Sequence, residues 1–182
     1  MTNNNLEFRT ATPDDAPQLQ QLIQSAFRAE DSRKDWVGDA DLAANFRLEV
    51  DEIMPGITKP DSAFLVAIDS SGGIVATIGV AKRGPDVARF FMLAVDQGRH
   101  RGGIGRQVLG YAEDYCQRVW GVDKIGLDAL SVRKELIAWY LRCGFRKTGE
   151  LTPFPADKIN GRAVGEDLYF VEMEKDLKTG SD

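Results

Sequence analysis

The segment Val95-Asp-Gln-Gly-Arg-His-Arg-Gly-Gly-Ile-Gly105 combines glycines with basic side chains, the residue types that bind phosphate. An apolar run, Phe90 to Val95, leads into it, and a helical pattern from Arg106 onward leaves it. Glycines let the main chain come close to a ligand. The first N–H groups of a helix have no partner inside the helix. Strand, glycine-rich turn and helix in that order therefore form a cradle for an anion. Two common phosphate motifs do not fit this cradle. A nucleoside-triphosphate loop needs Lys and then Ser or Thr after its second glycine. Gly98 and Gly103 have the right spacing, but Ile104 and Gly105 follow. A dinucleotide turn needs a third small residue and a place in a leading βαβ unit. Gly103-Ile-Gly105-Arg-Gln is instead followed by Val108, halfway down the chain.

The rest of the composition removes other chemistries. The one histidine, His100, lies in the glycine turn, so a multi-histidine metal site and a Ser–His hydrolase lack their parts. Cys116 and Cys143 sit inside helical patterns without metal-ligand spacing, and they read as small buried residues of a reducing compartment. No metal is expected. The 182 residues suit one domain, with 43% hydrophobic and 28% charged side chains. A net charge of −5 argues against unspecific nucleic-acid binding, which needs a basic surface. No apolar stretch is long enough to span a membrane. The polar start, Met-Thr-Asn-Asn-Asn, is not a signal peptide. A cytoplasmic protein with neither nucleic-acid nor membrane partners is expected.

The elements that position the cradle can be read from periodicity. Leu6 to Thr10 is a short strand. Thr12-Pro-Asp-Asp15 starts a helix, with Thr12 as cap and Asp15 as its capping-box partner. Leu19, Leu22, Ile23, Ala26 and Phe27 share one face of that helix. Asp39 or Asp41 caps a second helix bearing Leu42, Phe46 and Val50, which Pro55-Gly56 ends. Strands follow at Ala63 to Asp69, Ile74 to Lys82 and Val87 to Val95. Beyond the glycine turn, Ile104, Val108, Ala112, Cys116 and Val119 form a helical stripe closed by Gly121. Ile125 to Leu130 is a strand, and Lys134 to Cys143 is a helix stopped by Gly144. Phe145 to Leu151 and Asp167 to Lys175 close the order βααβββαβαββ, with a long connection over Thr152 to Gly165. This pattern predicts a mixed, mostly antiparallel twisted α/β sheet flanked by helices.

The sequence resembles the GNAT superfamily of acyl-CoA-dependent N-acetyltransferases. That family carries Arg/Gln-x-x-Gly-x-Gly/Ala between its fourth strand and third helix. Here the positions are His100-Arg101-Gly102-Gly103-Ile104-Gly105, so both glycines match and His100 departs from Arg or Gln. Members often end their fourth helix with Leu-Tyr-x-x-x-Gly-Phe, and this chain has Trp139-Tyr140-Leu-Arg-Cys-Gly144-Phe145. Glu7-Phe-Arg-Thr-Ala-Thr-Pro-Asp-Asp-Ala16 is similar to the family's opening strand and helix. Where many members place a CoA-contacting asparagine, seven residues before the tyrosine, Arg133 stands. It is either a solvated helix-start residue or an arginine reaching CoA. The resemblance covers nearly the whole chain and implies one GNAT-type domain over 1–182, with an ordered core of about 6–176.

The resemblance further implies that acetyl-CoA is the co-substrate, in a cleft between the fourth and fifth strands. Its pantetheine arm would bond to the backbone of Leu93, Ala94 and Val95. Its pyrophosphate would lie on the N–H groups from Arg101 to Arg106, with His100 beside them. The implied reaction is direct attack of an amine of a small molecule or peptide on the thioester. Backbone N–H groups near Leu93–Val95 would stabilise the oxyanion, and Tyr140 would be general acid to the departing sulfur. A general base is not visible in the sequence. Glu30, Asp31 and Asp128 are candidates beside a water chain or a backbone carbonyl. Phe27, Glu30, Asp31, Trp36 and Asp128 are candidate acceptor-site residues, with the loops around Pro55–Asp61 and Leu151–Arg162. Trp36 either caps an aromatic pocket or anchors its loop. A monomer or homodimer is expected. The departures at His100 and Arg133 leave a second reading open, a non-catalytic acyl-CoA-binding or sensor module on the same fold.

Overall fold

The computed structural model describes residues 5–28, 48–96, 98, 103–153 and 169–177. Strand β1 (Glu7–Thr10) leads through a turn of 3-10 helix (Pro13–Asp15) into α1 (Ala16–Arg28). Helix α2 (Val50–Thr58) precedes three strands, β2 (Ser62–Ile68), β3 (Ile74–Lys82) and β4 (Val87–Val95). Helix α3 (Ile104–Trp120), β5 (Lys124–Leu130), α4 (Lys134–Arg142), β6 (Arg146–Pro153) and β7 (Tyr169–Asp176) complete the described chain. The strands form one sheet of order β1-β2-β3-β4-β5-β7-β6. Every neighbouring pair is antiparallel except β4–β5, which is parallel.

Each face of the sheet has its own core. Leu65, Ile78, Val80, Phe90, Ile125 and Leu127 are buried under α3 and α4. Phe64, Val66 and Ala94 are buried with Leu19 and Ile23 of α1 and Ile53 of α2. Strands β2 and β3 are therefore apolar almost throughout, as strands covered on both faces must be. No helix of the described residues is long and apolar enough to cross a membrane.

Local chemistry sets the element ends. Thr12 N donates to Asp15 Oδ2 at 2.8 Å, closing the capping box read from the sequence. Gly121 and Gly144, with φ of 67° and 101°, end α3 and α4 in the left-handed region that favours glycine. The second helix departs from expectation. Pro55-Gly56 lies inside α2, which begins after Glu49 and runs to Thr58. Gly56 works by proximity instead of stopping the helix: a Cβ there would lie 2.5 Å from Phe64 Cε2. Lys59 N donates to Pro55 O at 3.0 Å, so the helical bonding continues past the proline. The expected helix start at Asp39–Phe46 and the connection after Pro153 lie outside the described residues.

Candidate active site

Parallel pairing between β4 and β5 is confined to Val87–Lys124, Ala88–Ile125 and Arg89–Gly126. Beyond these pairs both strands continue, β4 to Val95 and β5 to Leu130, without pairing to each other. Strand β5 keeps β7 as its partner up to Leu130–Phe170, and β4 keeps β3 up to Val95–Ala76. The sheet therefore opens into a wedge between β4 and β5, and among the described residues no strand lies on the Phe90–Val95 edge of β4 that faces β5.

A bulge shapes that edge. Thr77 pairs with Ala94 and Gly79 with Phe91, so Met92 and Leu93 together oppose Ile78. Met92 has φ 52°, the left-handed region that costs a non-glycine residue roughly 1–2 kcal/mol. Both Phe91 and Met92 pack against the α1–α2 core, whereas Leu93 and Val95 pack on the α3–α4 side. Strict alternation would have sent Phe91 and Met92 to opposite faces.

At the wide end of the wedge stands the N-terminus of α3. Gly103 caps it with φ 73°, and the first bond of the helix runs from Gln107 N to Gly103 O at 3.2 Å. The amides of Ile104, Gly105 and Arg106 precede that bond and have no partner within the helix. The two glycines differ in task. Gly103 supplies a conformation, with nothing near its missing Cβ. Gly105 supplies proximity, because a Cβ would lie 3.1 Å from Trp139 Cζ2. That contact, with the Arg106 Nη2 bond to Arg142 O at 3.3 Å, presses the glycine turn against α4, the helix that carries Tyr140.

Tyr140 is 6% exposed and packs edge-on to Phe145, with ring centroids 5.6 Å apart. Its hydroxyl makes no hydrogen bond to any described residue. Burial pushes the phenol up to about 12, while the Arg133 charge pulls it down and Cys143 and Asp128 push it up. Arg133, at the start of α4, does not extend into solvent. Its guanidinium lies 4.9 Å from the centre of the Phe27 ring on α1, and burial lowers its pKa. It thus joins the two sides of the wedge. Asp128, on β5 beyond the last pair with β4, bonds to Arg89 Nη2 at 2.7 Å. Burial raises its pKa, Arg89 lowers it and Glu172 raises it.

Leu93, Ala94, Val95, Gly103, Ile104, Gly105, Arg106, Arg133, Tyr140, Asp128 and Phe27 thus gather around the wedge. The Ile104 side chain serves the core, as the first residue of α3's buried stripe. Glu30, Asp31, Trp36, His100, Arg101 and Gly102 lie outside the described residues. Arg89 and Glu172 belong to the site but not to the expected set. Their one sequence signal was a charge inside each of two otherwise strand-like runs. The buried Cys116 thiol is pushed up to about 12, in keeping with its reading as an inert core residue. Among the described residues, no group of three or more His, Cys, Asp or Glu is placed to share a metal ion.

A splayed parallel pair, a bulged strand beside it and a glycine-capped helix at its mouth mark a mixed α/β class with an open cleft in its sheet. The profile of the acetyltransferase (GNAT) family matches residues 17–145, from α1 to Phe145. The chain belongs to that family of acetyl-CoA-dependent acyltransferases. Solved structures share the fold. A spermidine N-acetyltransferase from Vibrio cholerae, in complex with CoA and spermine, superposes with TM-score 0.68 at 16% identity, covering 94% of this chain and 95% of that one. The ribosomal-protein-S18-alanine N-acetyltransferase of Escherichia coli gives 0.70 at 17% identity, over 97% of both chains. A GNAT-family acetyltransferase from Staphylococcus aureus Mu50 gives 0.69 at 17%, over 95% of this chain and 99% of that one. None of the curated proteins compared with the sequence matches it.

Proposed function

We propose that the chain transfers the acetyl group of acetyl-CoA to an amine of a small molecule or peptide by direct attack, with Tyr140 as general acid. The observation that carries this reading is the Tyr140 hydroxyl, buried without a hydrogen-bond partner among the described residues on the helix pressed against the glycine turn. An unsatisfied buried polar group costs about 1–3 kcal/mol. A ligand atom accepting from this hydroxyl would offset that cost.

The other parts fit the same co-substrate, which supplies an acyl thioester. The open Leu93–Val95 edge of β4 can bond the amides of a pantetheine arm as an added strand would. The amides of Ile104, Gly105 and Arg106 suit a pyrophosphate. Two structural relatives are named for acetylating a polyamine and an alanine of a ribosomal protein. That range supports an amine acceptor without choosing between a small molecule and a peptide.

Proton bookkeeping limits what Tyr140 does. A phenol at about 12 stays protonated through the neutral range. The reference value for a cysteine-like thiol, ~8.5, lies well below that of the buried phenol, so full transfer to sulfur is uphill. Tyr140 therefore works as part of a coupled transfer. As sulfur takes the phenolic proton, the phenol recovers one from the attacking nitrogen, whose N–H becomes strongly acidic on bonding to the carbonyl carbon. The test is acetyl transfer to spermidine, lysine and an alanine-initiated peptide, read as free thiol and as acetylated amine. Tyr140→Phe is expected to lower kcat about 100-fold or more with acetyl-CoA affinity unchanged. Wild-type kcat in that variant would remove Tyr140 as the acid, and no acetylation of any of the three amines would contradict the reaction.

A further inference from the structure

The narrow end of the wedge carries charged side chains that the transfer step above leaves unused. Arg89 stands on β4 at the last pair before the strands part. It reaches across to both neighbouring strands, donating from Nη2 to Asp128 Oδ2 at 2.7 Å and to Glu172 Oε2 at 3.2 Å. Asp128 and Glu172 are direct cross-strand partners in the β5–β7 pair. Glu172 is held from a third side by Thr152 Oγ1, which donates to its Oε1 at 3.0 Å. Asp128 remains 34% exposed in its side chain, and its other oxygen, Oδ1, accepts no hydrogen bond from a described residue.

The face on which this cluster lies decides its use. Ala88 and Phe90 flank Arg89, Leu127 and Ala129 flank Asp128, and Val171 and Met173 flank Glu172; all six belong to the core under α3 and α4. Alternation along the strands puts the three charged residues on the other face, the one α1 and α2 cover further along the sheet. Tyr140 belongs to the α3–α4 side. The phenol and the Asp128 carboxylate thus approach the strand gap from opposite faces of the sheet. They are near enough for the charge on Asp128 to act on the phenol. A donor entering over the α3 cradle and an acceptor entering from the opposite face would meet between them.

We propose that Asp128 takes the proton from the acceptor ammonium, and that Arg89 and Glu172 are positioning residues that fix its carboxylate at the gap. This rests on the amine-acetylation reading above. The acceptor R–NH3+ gives one proton to Asp128 Oδ1, and the freed electron pair forms the nitrogen–carbon bond. The carbon–sulfur bond breaks and its pair leaves on sulfur. Sulfur takes the Tyr140 proton, the phenol regains one from the same nitrogen, and an amide N–H remains. Asp128 then releases its proton to solvent. One guanidinium against two carboxylates leaves the cluster negative, the sign that seats an ammonium. Among the described residues, the charged and titratable groups around Asp128 are Arg89 from β4, Glu172 from β7 and Tyr140 from α4, with Arg133 acting on that phenol in turn. Burial and Glu172 move the carboxyl toward the range in which a base can cycle, against the pull of Arg89.

The experiment is the pH profile of kcat at saturating acetyl-CoA and amine, with spermidine, lysine and the alanine-initiated peptide as acceptor probes. Asp128→Asn is expected to lose about 100-fold or more in kcat, with acetyl-CoA affinity kept as evidence of folding. Glu172→Gln removes a negative neighbour and should move the acid limb to lower pH. Arg89→Gln removes the positive neighbour and should move it to higher pH; if that variant does not fold, Glu172→Gln and Asp128→Asn decide alone. A purely structural ion pair would lower activity and leave the limb in place, and that result overturns the proposal. So does wild-type kcat in Asp128→Asn while Tyr140→Phe is impaired, an outcome that leaves the acetylation reading intact. A wild-type protein that binds acetyl-CoA but acetylates none of the three amines sinks both.

Discussion

Asp15 is held ionised by its partners, whereas Tyr140 is held neutral by burial. The Arg9 guanidinium meets Asp15 through two bonds of 2.7 and 3.0 Å, and the Thr12 amide adds a third. Together they hold the Asp15 carboxyl below its usual range, the Arg9 bond contributing most. A folded-state pKa below the unfolded value of ~3.9 gives stability that is present above that value and lost as pH falls through the lower, folded one. Asp15→Ala should therefore cost about 1 kcal/mol near neutral pH, as capping losses typically do. That difference should shrink toward zero as the carboxyl is protonated in acid. Urea midpoints at a series of pH values measure it, and a pH-independent difference would show that the pair contributes only packing. The residue scale is also where sequence reading was most uneven. Tyr140 could be found because its spacing to Gly144-Phe145 is a chain property. The rise of its phenol to about 12 depends on Phe145 and Trp139 closing over the ring, which spacing does not encode. Arg133 stood between two readings, solvent or CoA, and its stacking on Phe27 follows from neither.

Strand β4 carries the element-scale lesson. Its limits, Val87 and Val95, are those expected from the sequence, because the turns on either side mark them. Its bulge was not expected, because Phe90-Phe-Met-Leu-Ala-Val95 is apolar at every position and offers no alternation from which a skipped residue can be read. The bulge instead depends on partner geometry. Gly79 makes room for Phe91, and a Cβ at Gly79 would run into the Phe91 ring at Cε2. Gly79→Ala should destabilise the fold by about 1–3 kcal/mol, as overpacking does, and displace the Phe91–Met92 bend. Acetyl-CoA affinity should fall with it, because the open strand edge moves. Chemical denaturation and calorimetric titration of acetyl-CoA check the two effects. Unchanged affinity in the folded variant would separate the bulge from binding. Pro55-Gly56 taught the converse. A pair that reads as a helix stop is used inside α2, where Gly56 lets the helix lie against Phe64.

At the scale of the molecule, the wedge exists because two strands adjacent in the sheet each keep a better partner on the far side. Strand β5 makes seven register pairs with β7 but only three with β4. The order of elements and the mixed sheet were legible in hydrophobic period and turn residues. The place of the opening became an expectation only through the family resemblance, since no residue pattern announces where a ladder stops. If this wedge is where acetyl-CoA binds, its main-chain amides should report it whatever the acceptor proves to be. The most direct measurement is amide hydrogen exchange of the full chain with and without acetyl-CoA. Slowed exchange is predicted at Phe90–Val95 and at Ile104–Arg106, the open strand edge and the unpartnered first turn of α3. Binding that leaves both segments unprotected, or protects only segments away from the β4–β5 gap, would contradict the assignment of this cleft.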